Sequence, residues 1–213
     1  MDRRPLKTRS RPTAVALAAA LARRGVRPNH ISLAGVGFAL LAGGALFALP
    51  HASSPLQAAL LVGAAAAIQL RLACNLLDGL LAVEAKLGSP TGELYNDVPD
   101  RFADLVILVA AGYAIAWDWG GALGWAAAAA ALLTAYVRVL GGALGARQHF
   151  LGPMAKPHRM AVLTAALLLS LVELSAAEFE GRLIAIALAL ILVGSLATFA
   201  RRLSLVAREL SAR

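Results

Sequence analysis

Cysteine and aromatic residues are scarce in this chain, and each shortage narrows the class of protein. The 213 residues include one cysteine, Cys74, so no internal disulfide can form. Aromatic residues make up only 6% of the chain, which argues against a nucleic-acid-binding surface built on stacking. No repeat of about 20–50 residues is visible, and none of the repeat architectures is expected.

Hydrophobic residues are abundant instead, at 60% of the chain, with a mean hydropathy of +0.73. A soluble domain has roughly half apolar residues. Six apolar spans can be drawn, each close to the ~20 residues that cross a bilayer core. They cover residues 31–49, 55–82, 99–117, 121–144, 160–176 and 182–200. Because the connections are short, we predict an all-α, integral-membrane bundle of six transmembrane helices, forming one domain over residues 31–213.

Lysine and arginine gather on alternate connections between these spans. Basic residues precede the first span, flank the second and fourth connections, and follow the last span. The first, third and fifth connections carry Asp118, Glu178 and Glu180 against only Arg182. The positive-inside rule therefore places both termini and the second connection in the cytoplasm. We expect a multi-pass protein of the cytoplasmic membrane.

Residues 1–30 form a separate basic segment in this prediction. The Ala-rich stretch from about residue 13 to residue 25 contains Arg23-Arg24 rather than a cleavage site, so it is not expected to be a signal peptide. We predict an amphipathic helix that lies in the membrane interface. A net charge of +8, concentrated at membrane edges, predicts attraction to anionic lipid head groups and no nucleic-acid partner.

A cluster of acids and amides interrupts the apolar pattern around the second connection. Asn75 and Asp78 share one helix face, and Asn96, Asp100 and Asp104 share a face of the next helix. Acids at a bilayer boundary normally face one another, a cation or a water-filled cavity. The small residues among them, which allow close backbone approach, are Gly79, Ala82 and Gly92. Hard oxygen ligands without His or Cys predict Mg²⁺, Mn²⁺ or Ca²⁺ rather than zinc.

This segment resembles the CDP-alcohol phosphatidyltransferases, whose pattern is D-x2-D-G-x2-A-R-x8-G-x3-D-x3-D. The spacing matches throughout, and the identical residues are Asp78, Gly79, Ala82, Gly92 and Asp100. The chain departs from the pattern at three positions, where Asn75 and Asn96 replace Asp and Val83 replaces Arg. The resemblance also covers residues 27–32, at the entry to the first span, and the general hydropathy of nearly the whole chain.

The resemblance implies a reaction and a set of roles. The family joins a phosphatidyl group from a CDP-linked lipid to a small alcohol and releases CMP, in phospholipid synthesis. Asp78 and Asp100 would bind Mg²⁺ or Mn²⁺, and Asp100 would also deprotonate the acceptor as the catalytic base. Four carboxylates would carry about −4 charges for two divalent ions, whereas Asn75 and Asn96 offer only carbonyl oxygens. Asp97 is a further candidate ligand that would restore some charge.

The same resemblance assigns substrate and nucleotide binding to the motif's small residues and to nearby cations. Gly79, Ala82 and Gly92 occupy the motif's small positions. Lys86 lies one turn beyond the missing arginine and is a candidate for the nucleotide phosphate, with an ordinary loop lysine as the alternative. Arg138 lies within the fourth span, and an intramembrane arginine normally has an anionic partner.

Two further cations begin the fifth span. Lys156 and Arg159 are candidates for holding an anionic head group or the phosphate of the acceptor, and a positive-inside anchor is the alternative. Arg71 lies deeper in the second span, where we expect it to pair with Glu173.

Two other functions stay open from sequence alone. The first is a degenerate family member that binds lipid or nucleotide, or scaffolds lipid-synthesis enzymes, without catalysis. The second is a small transporter, which is disfavoured because the polar residues gather at helix ends rather than at the midplane. The identity of the acceptor is open, and the resemblance suggests a homodimer.

Overall fold

The computed structural model describes residues 12–84, 91–176 and 179–212. Seven α-helices account for most of them: α1 (Pro12–Arg23), α2 (Pro28–Ala48), α3 (Ser54–Glu84), α4 (Gly92–Tyr113), α5 (Gly120–Ala143), α6 (Lys156–Ala176) and α7 (Arg182–Ser211). A 3₁₀ turn, Leu49–His51, joins α2 to α3. The described ranges contain no β-strand, and the all-α prediction is confirmed.

Five of the helices, α2, α3, α5, α6 and α7, are long and apolar enough to cross a membrane. The sixth long helix, α4, is not among those five, and it carries four charged residues between positions 97 and 104: Asp97, Asp100, Arg101 and Asp104. Long helices therefore stand where the six spans were predicted. The chain is a multi-pass membrane protein.

Two helix boundaries differ most from the sequence-based spans, because hydropathy marks apolar surface rather than helix ends. Helix α4 begins at Gly92 rather than at residue 99, and Pro99 lies inside it. Helix α7 continues to Ser211 rather than ending at residue 200. Both extensions are polar, and both bring charged side chains to the same end of the bundle.

The bundle is held by close packing of small and branched residues. Helix α2 packs on α3 and α4, α4 on α5, α5 on α7, and α6 on both α3 and α7. Ile68, Ile107, Leu163 and Leu188 are fully buried in the shared core. Small residues let membrane helices approach to backbone contact. Gly112 of α4 and Gly124 of α5 lie in such contact.

The N-terminal helix α1 docks on the end of the bundle that carries the polar motif. Its Ala18 is buried in a cluster with Ile31 of α2 and with Leu80 and Leu81 of α3. The interfacial position of α1 and the division between residues 1–30 and 31–213 stay predictions. The motif thus lies where α1, the end of α3 and the start of α4 meet.

Candidate active site

The motif positions on α3 and α4 are joined directly through Asn75. Its side-chain Nδ2 donates to Oδ1 of Asn96 at 3.2 Å and to Oδ2 of Asp100 at 2.8 Å. The i, i+4 spacing of Asn96 and Asp100 puts both on the face of α4 that meets α3. Three of the four positions identified from sequence are therefore one hydrogen-bonded group.

Asp78, the fourth position, is tied to α2. Ser32 donates its hydroxyl to Oδ2 of Asp78 at 2.7 Å, and Asp78 is only 4% exposed. The other carboxylate oxygen, Oδ1, is buried and has no hydrogen-bond partner among the described residues. A buried carboxylate oxygen without a partner is costly, and it marks a place where a cation would be stabilised.

A small cavity of about 10 Å³ lies among the motif residues. The four motif positions and Ser32 contribute to its lining: Ser32, Asn75, Asp78, Asn96 and Asp100. A volume of this order holds about one water-sized body. The oxygen atoms identified from sequence thus surround a space for one small ligand.

A buried ion-pair network lies next to the motif and joins α3, α4 and α6 through Asp104. Asp104 of α4 is 3% exposed and accepts from Nη2 of Arg71 at 2.7 Å and from Nη2 of Arg159 at 3.0 Å. The same Nη2 of Arg71 donates to the backbone carbonyl of Asp100 at 3.0 Å and lies 3.4 Å from its Oδ1. Charged side chains from α3, α4 and α6 therefore form one ion-pair network that contacts Asp100.

Lys156, the first residue of α6, approaches Asp100 from the other side. Its Nζ forms an ion pair with Oδ2 of Asp100, and the lysine side chain is 12% exposed. Asp100 consequently has a cation at each of its carboxylate oxygens, since Arg71 lies beside Oδ1.

A larger cavity, of about 170 Å³, opens beside Asp100 and is predominantly basic. Two carboxylates, Asp97 and Asp100, line it. The basic residues in its lining are Arg101, Arg138, Lys156, Arg159 and Arg202. With five cations against two anions, this space is suited to a ligand that carries negative charge.

Arg138 is fixed at the rim of this cavity by three contacts. Its guanidinium donates to Oδ1 of Asp97 at 2.8 Å and to Oε1 of Gln148 at 2.9 Å, and it lies over the ring of Phe150 at 5.4 Å. The prediction of an anionic partner for this arginine is confirmed by Asp97. Arg101 also pairs with Asp97, at 3.3 Å.

Arg159 and Arg202 form the deep wall of the cavity. Arg159 donates to the carbonyl of Met154 at 2.9 Å, and its Nε is buried without a partner among the described residues. Arg202 of α7 donates to the carbonyls of Leu151 at 2.9 Å and Thr134 at 2.7 Å. These bonds fix two guanidinium groups inside the bundle.

Some of the residues predicted from sequence lie elsewhere. Gly79, Ala82 and Gly92 are on described helices but line neither of these two cavities, so their binding role stays a prediction. Lys86 lies outside the described residues. Asp97 faces the larger cavity with two arginine partners, and its metal role stays a prediction.

One predicted contact is wrong, and several site residues were missed. Arg71 pairs with Asp100 and Asp104, whereas Glu173 accepts the backbone N–H groups of Glu180 and Arg182 at the other end of the bundle. The site residues that sequence reasoning did not assign are Ser32, Arg71, Thr134, Phe150 and Arg202. For Ser32 a signal existed, because it closes the 27–32 segment that resembles the family's first helix entry.

The residues present suit one hard divalent cation. Asp78 offers a carboxylate oxygen that has no hydrogen-bond partner among the described residues. Asn75 turns its amide nitrogen toward Asn96 and Asp100, which leaves its carbonyl oxygen as a possible metal ligand. Mg²⁺ and Mn²⁺ accept such oxygen ligands. Within the described part of the chain, no group of three His, Cys, Asp or Glu side chains is arranged to hold a metal ion.

Comparison with known proteins shows that this chain has the fold of solved structures of a CDP-alcohol phosphatidyltransferase. Solved structures that match this chain include those of phosphatidylinositol phosphate synthase from Mycobacterium tuberculosis. Its form with CDP-DAG bound has a TM-score of 0.71 at 20% identity, covering 91% of this chain and 92% of that one. Its complex with manganese and citrate has a TM-score of 0.72 at 20% identity, covering 91% and 88%.

The apo form of the same synthase gives a TM-score of 0.72 at 21% identity, covering 92% of this chain and 97% of that one. No sequence profile of a protein family matches the chain, and no curated protein sequence matches it. The helical membrane fold predicted from the apolar spans is therefore supported by similarity of structure rather than by overall sequence similarity.

Proposed function

We propose that this chain is an integral-membrane transferase of phospholipid synthesis, which moves a phosphatidyl group from a CDP-activated lipid to a small alcohol and releases CMP. The observation that carries the proposal is the convergence of Asn75, Asp78, Asn96 and Asp100 on one site. They have the spacing of the CDP-alcohol phosphatidyltransferase motif, within a bundle of that fold. The solved relative with CDP-DAG bound supports the class of donor.

In this mechanism Asp100 takes the proton of the acceptor hydroxyl. The hydroxyl oxygen bonds to the phosphorus that carries the lipid, while the bond from that phosphorus to the bridging oxygen of CMP breaks. CMP leaves with the electron pair of that bond, and the product is a lipid phosphodiester. Lys156 and Asn75 hold the Asp100 carboxylate in position for this proton transfer.

A Mg²⁺ or Mn²⁺ ion held by Asp78, Asn75 and Asn96 would supply positive charge that neutralises the donor diphosphate. The structure of the relative with manganese supports this class of cofactor. The chain adds its own cations nearby, with Lys156 and Arg101 lining the larger cavity. The transferred group and the leaving CMP are both anionic. These cations therefore stabilise the transition state, in which negative charge develops on the leaving oxygen, more than they stabilise the bound substrates.

The acceptor alcohol, in this proposal, carries a phosphate or another anionic group. Arg138, Arg159 and Arg202 line one cavity, and the buried Nε of Arg159 has no partner among the described residues. Asp97 and Asp104 already pair with Arg138 and Arg159, but the lining of the cavity still has a surplus of positive charge. A phosphate would balance that surplus through charge-assisted hydrogen bonds, whereas a plain polyol would not.

The acceptor test uses purified full-length protein with a CDP-diacylglycerol donor, Mg²⁺ and matched pairs of acceptors. We expect CMP release with a phosphorylated acceptor, such as inositol phosphate or glycerol 3-phosphate, and at least tenfold less with inositol or glycerol. The reason is the loss of hydrogen bonds to charged groups, each worth about 1.5–3 kcal/mol. Equal rates within each pair would contradict an anionic acceptor site.

The second candidate function is a non-catalytic lipid- or nucleotide-binding protein. It is favoured by the engagement of Asp100, which is held by Lys156, Asn75 and Arg71. That protein would bind a CDP-lipid, measured by calorimetry, yet release no CMP with any acceptor at any divalent-ion concentration. The transferase proposal requires both binding and release.

The membrane placement belongs to the same proposal. The charge pattern of the connections supports a cytoplasmic location for both termini and for the site, in the cytoplasmic membrane. Exposed apolar side chains on the spans, such as Leu33, Leu169 and Val193, suit contact with membrane lipids. A homodimer is supported only by the resemblance, and cross-linking in native membranes tests it.

A further inference from the structure

Lys156 shares one carboxylate oxygen of Asp100 with Asn75, one of the two motif positions that lack a carboxylate. Its ammonium group pairs with Oδ2 of Asp100, the same oxygen that accepts from Nδ2 of Asn75 at 2.8 Å. Both groups come from other helices, α6 and α3, and both are held against α4. An aspartate at position 75 would offer no such donor and would place two anions in contact.

Asp100 therefore has its oxygens occupied by groups of the chain itself. Oδ2 has Lys156 and Asn75, and Oδ1 has Nη2 of Arg71 at 3.4 Å. With three of its about four lone-pair sites engaged, this carboxylate can still take the proton of the acceptor but cannot also be shared between two divalent ions. Lys156 is also largely buried, at 12% exposure, so its charge acts in a medium where it is weakly screened.

Asp78 is the opposite case. Its Oδ2 accepts from Ser32, and its Oδ1 is buried without a described partner. The small cavity beside it has room for about one ion, at about 10 Å³. The unpaired carboxylate oxygen and the free space thus coincide at Asp78.

The charges agree with a single ion. Four motif carboxylates would balance two divalent ions, whereas Asp78 and Asp100 together carry two negative charges. One divalent ion at Asp78, the ammonium of Lys156 and the guanidinium of Arg71 supply four positive charges, which leaves two surplus charges for an anionic substrate. A second divalent ion would add two more positive charges beside five cavity-lining cations.

We propose that Lys156 is a built-in cation that takes the place of a second divalent ion, so that the site binds one metal ion, at Asp78, instead of two. This deepens the proposed transferase function and rests on it for its chemical purpose. The metal stoichiometry itself is independent of turnover, so the proposal can fail while the transferase activity stands, and the reverse also holds.

The test is Mn²⁺ binding to purified full-length protein without substrate, counted by electron paramagnetic resonance and calorimetry. Wild type is expected to bind one Mn²⁺ per chain, and Asp78→Asn is expected to bind none. The decisive comparison is between Asn75→Asp/Asn96→Asp and the same variant with Lys156→Met. We expect the variant without the lysine to bind two ions. In the variant that keeps the lysine, the second ion should bind at least tenfold more weakly, because the ammonium repels it.

Two controls separate this role from a general charge effect and from misfolding. Arg101→Met removes another cation of the same cavity and is expected to leave one ion per chain. Lys156→Arg keeps the charge and is also expected to leave one. The proposal is overturned if wild type binds two ions or none, or if the affinity for the second ion is the same with and without Lys156.

Discussion

At the scale of single residues, Asp104 is the anion on which the site's framework depends. It lies between Nη2 of Arg71 at 2.7 Å and Nη2 of Arg159 at 3.0 Å, and all three side chains are nearly inaccessible. Asp104→Asn would leave two buried guanidinium groups with too little negative charge. Removing one partner of a buried ion pair costs about 3–5 kcal/mol.

We therefore expect Asp104→Asn to lower the unfolding midpoint strongly in detergent, measured by the loss of helical circular dichroism. The matched control is Asp97→Asn, which also breaks contacts with two arginines but has a side chain that is 38% exposed. Its cost should be no more than about 1 kcal/mol, as for exposed pairs. Equal losses in the two variants would show that Asp104 is not the central anion.

Residue spacing predicted the motif well. Asn75 and Asp78 lie on one face of α3, and Asn96 and Asp100 lie on one face of α4. Periodicity carries that information within a helix. It does not say which other helices meet the face, so Ser32 and Arg71 were not assigned. In the sequence, Arg202 is one of the basic residues that follow the last span. The sequence alone does not show whether an arginine in that position is solvated or buried.

At the scale of helices, the contact between α4 and α5 depends on glycine. A Cβ added to Gly124 would lie 2.8 Å from the carbonyl oxygen of Leu108 and 2.9 Å from the Cα of Gly112. Both neighbours are backbone atoms, which cannot turn aside as a side chain can. The two helices would have to separate to admit even one methyl group.

Gly124→Ala is expected to destabilise the bundle by about 1–3 kcal/mol, as overpacking does. Gly63→Ala in α3 is the control, because a Cβ there meets nothing within 4 Å. It should be neutral or stabilising by up to ~1 kcal/mol, since alanine favours helix. Unfolding midpoints of the two variants measure the difference, and similar values would mean that the helices are not in backbone contact at Gly124.

Helix existence was predictable, whereas helix ends were not. A run of about 20 apolar residues predicts a span, and all six runs correspond to long helices. The start of α4 contains Asn96 and Asp97, and the end of α7 contains Arg201 and Arg202, so neither looks apolar. Within these polar turns, Asp97 and Arg202 line the larger cavity rather than face lipid.

At the scale of the whole molecule, the charge pattern of the connections predicts the orientation in the membrane. We expect a Thr91→Cys variant to react with a membrane-impermeant thiol reagent only from the cytoplasmic side, and Ser53→Cys only from the outside, in a Cys74→Ala background. Both positions are exposed in the structure. Ser53 directly precedes the start of α3, whereas Thr91 directly precedes the start of α4, at the other end of the bundle. The reverse labelling pattern would place the site outside the cell and would contradict the proposed access of a CDP-lipid from the cytoplasm.

The central claim is that the cavity at Asp100 is a transferase active site. The most direct measurement is metal-dependent CMP release from CDP-diacylglycerol with a phosphorylated acceptor, compared between wild type and Asp100→Asn. The loss of a general base lowers the rate by about 10²–10⁴-fold. The control, Asp118→Asn, changes an exposed acid between α4 and α5, away from the site, and should keep the wild-type rate. We predict CMP release that falls by that factor in Asp100→Asn alone, and undiminished release in that variant would contradict the account.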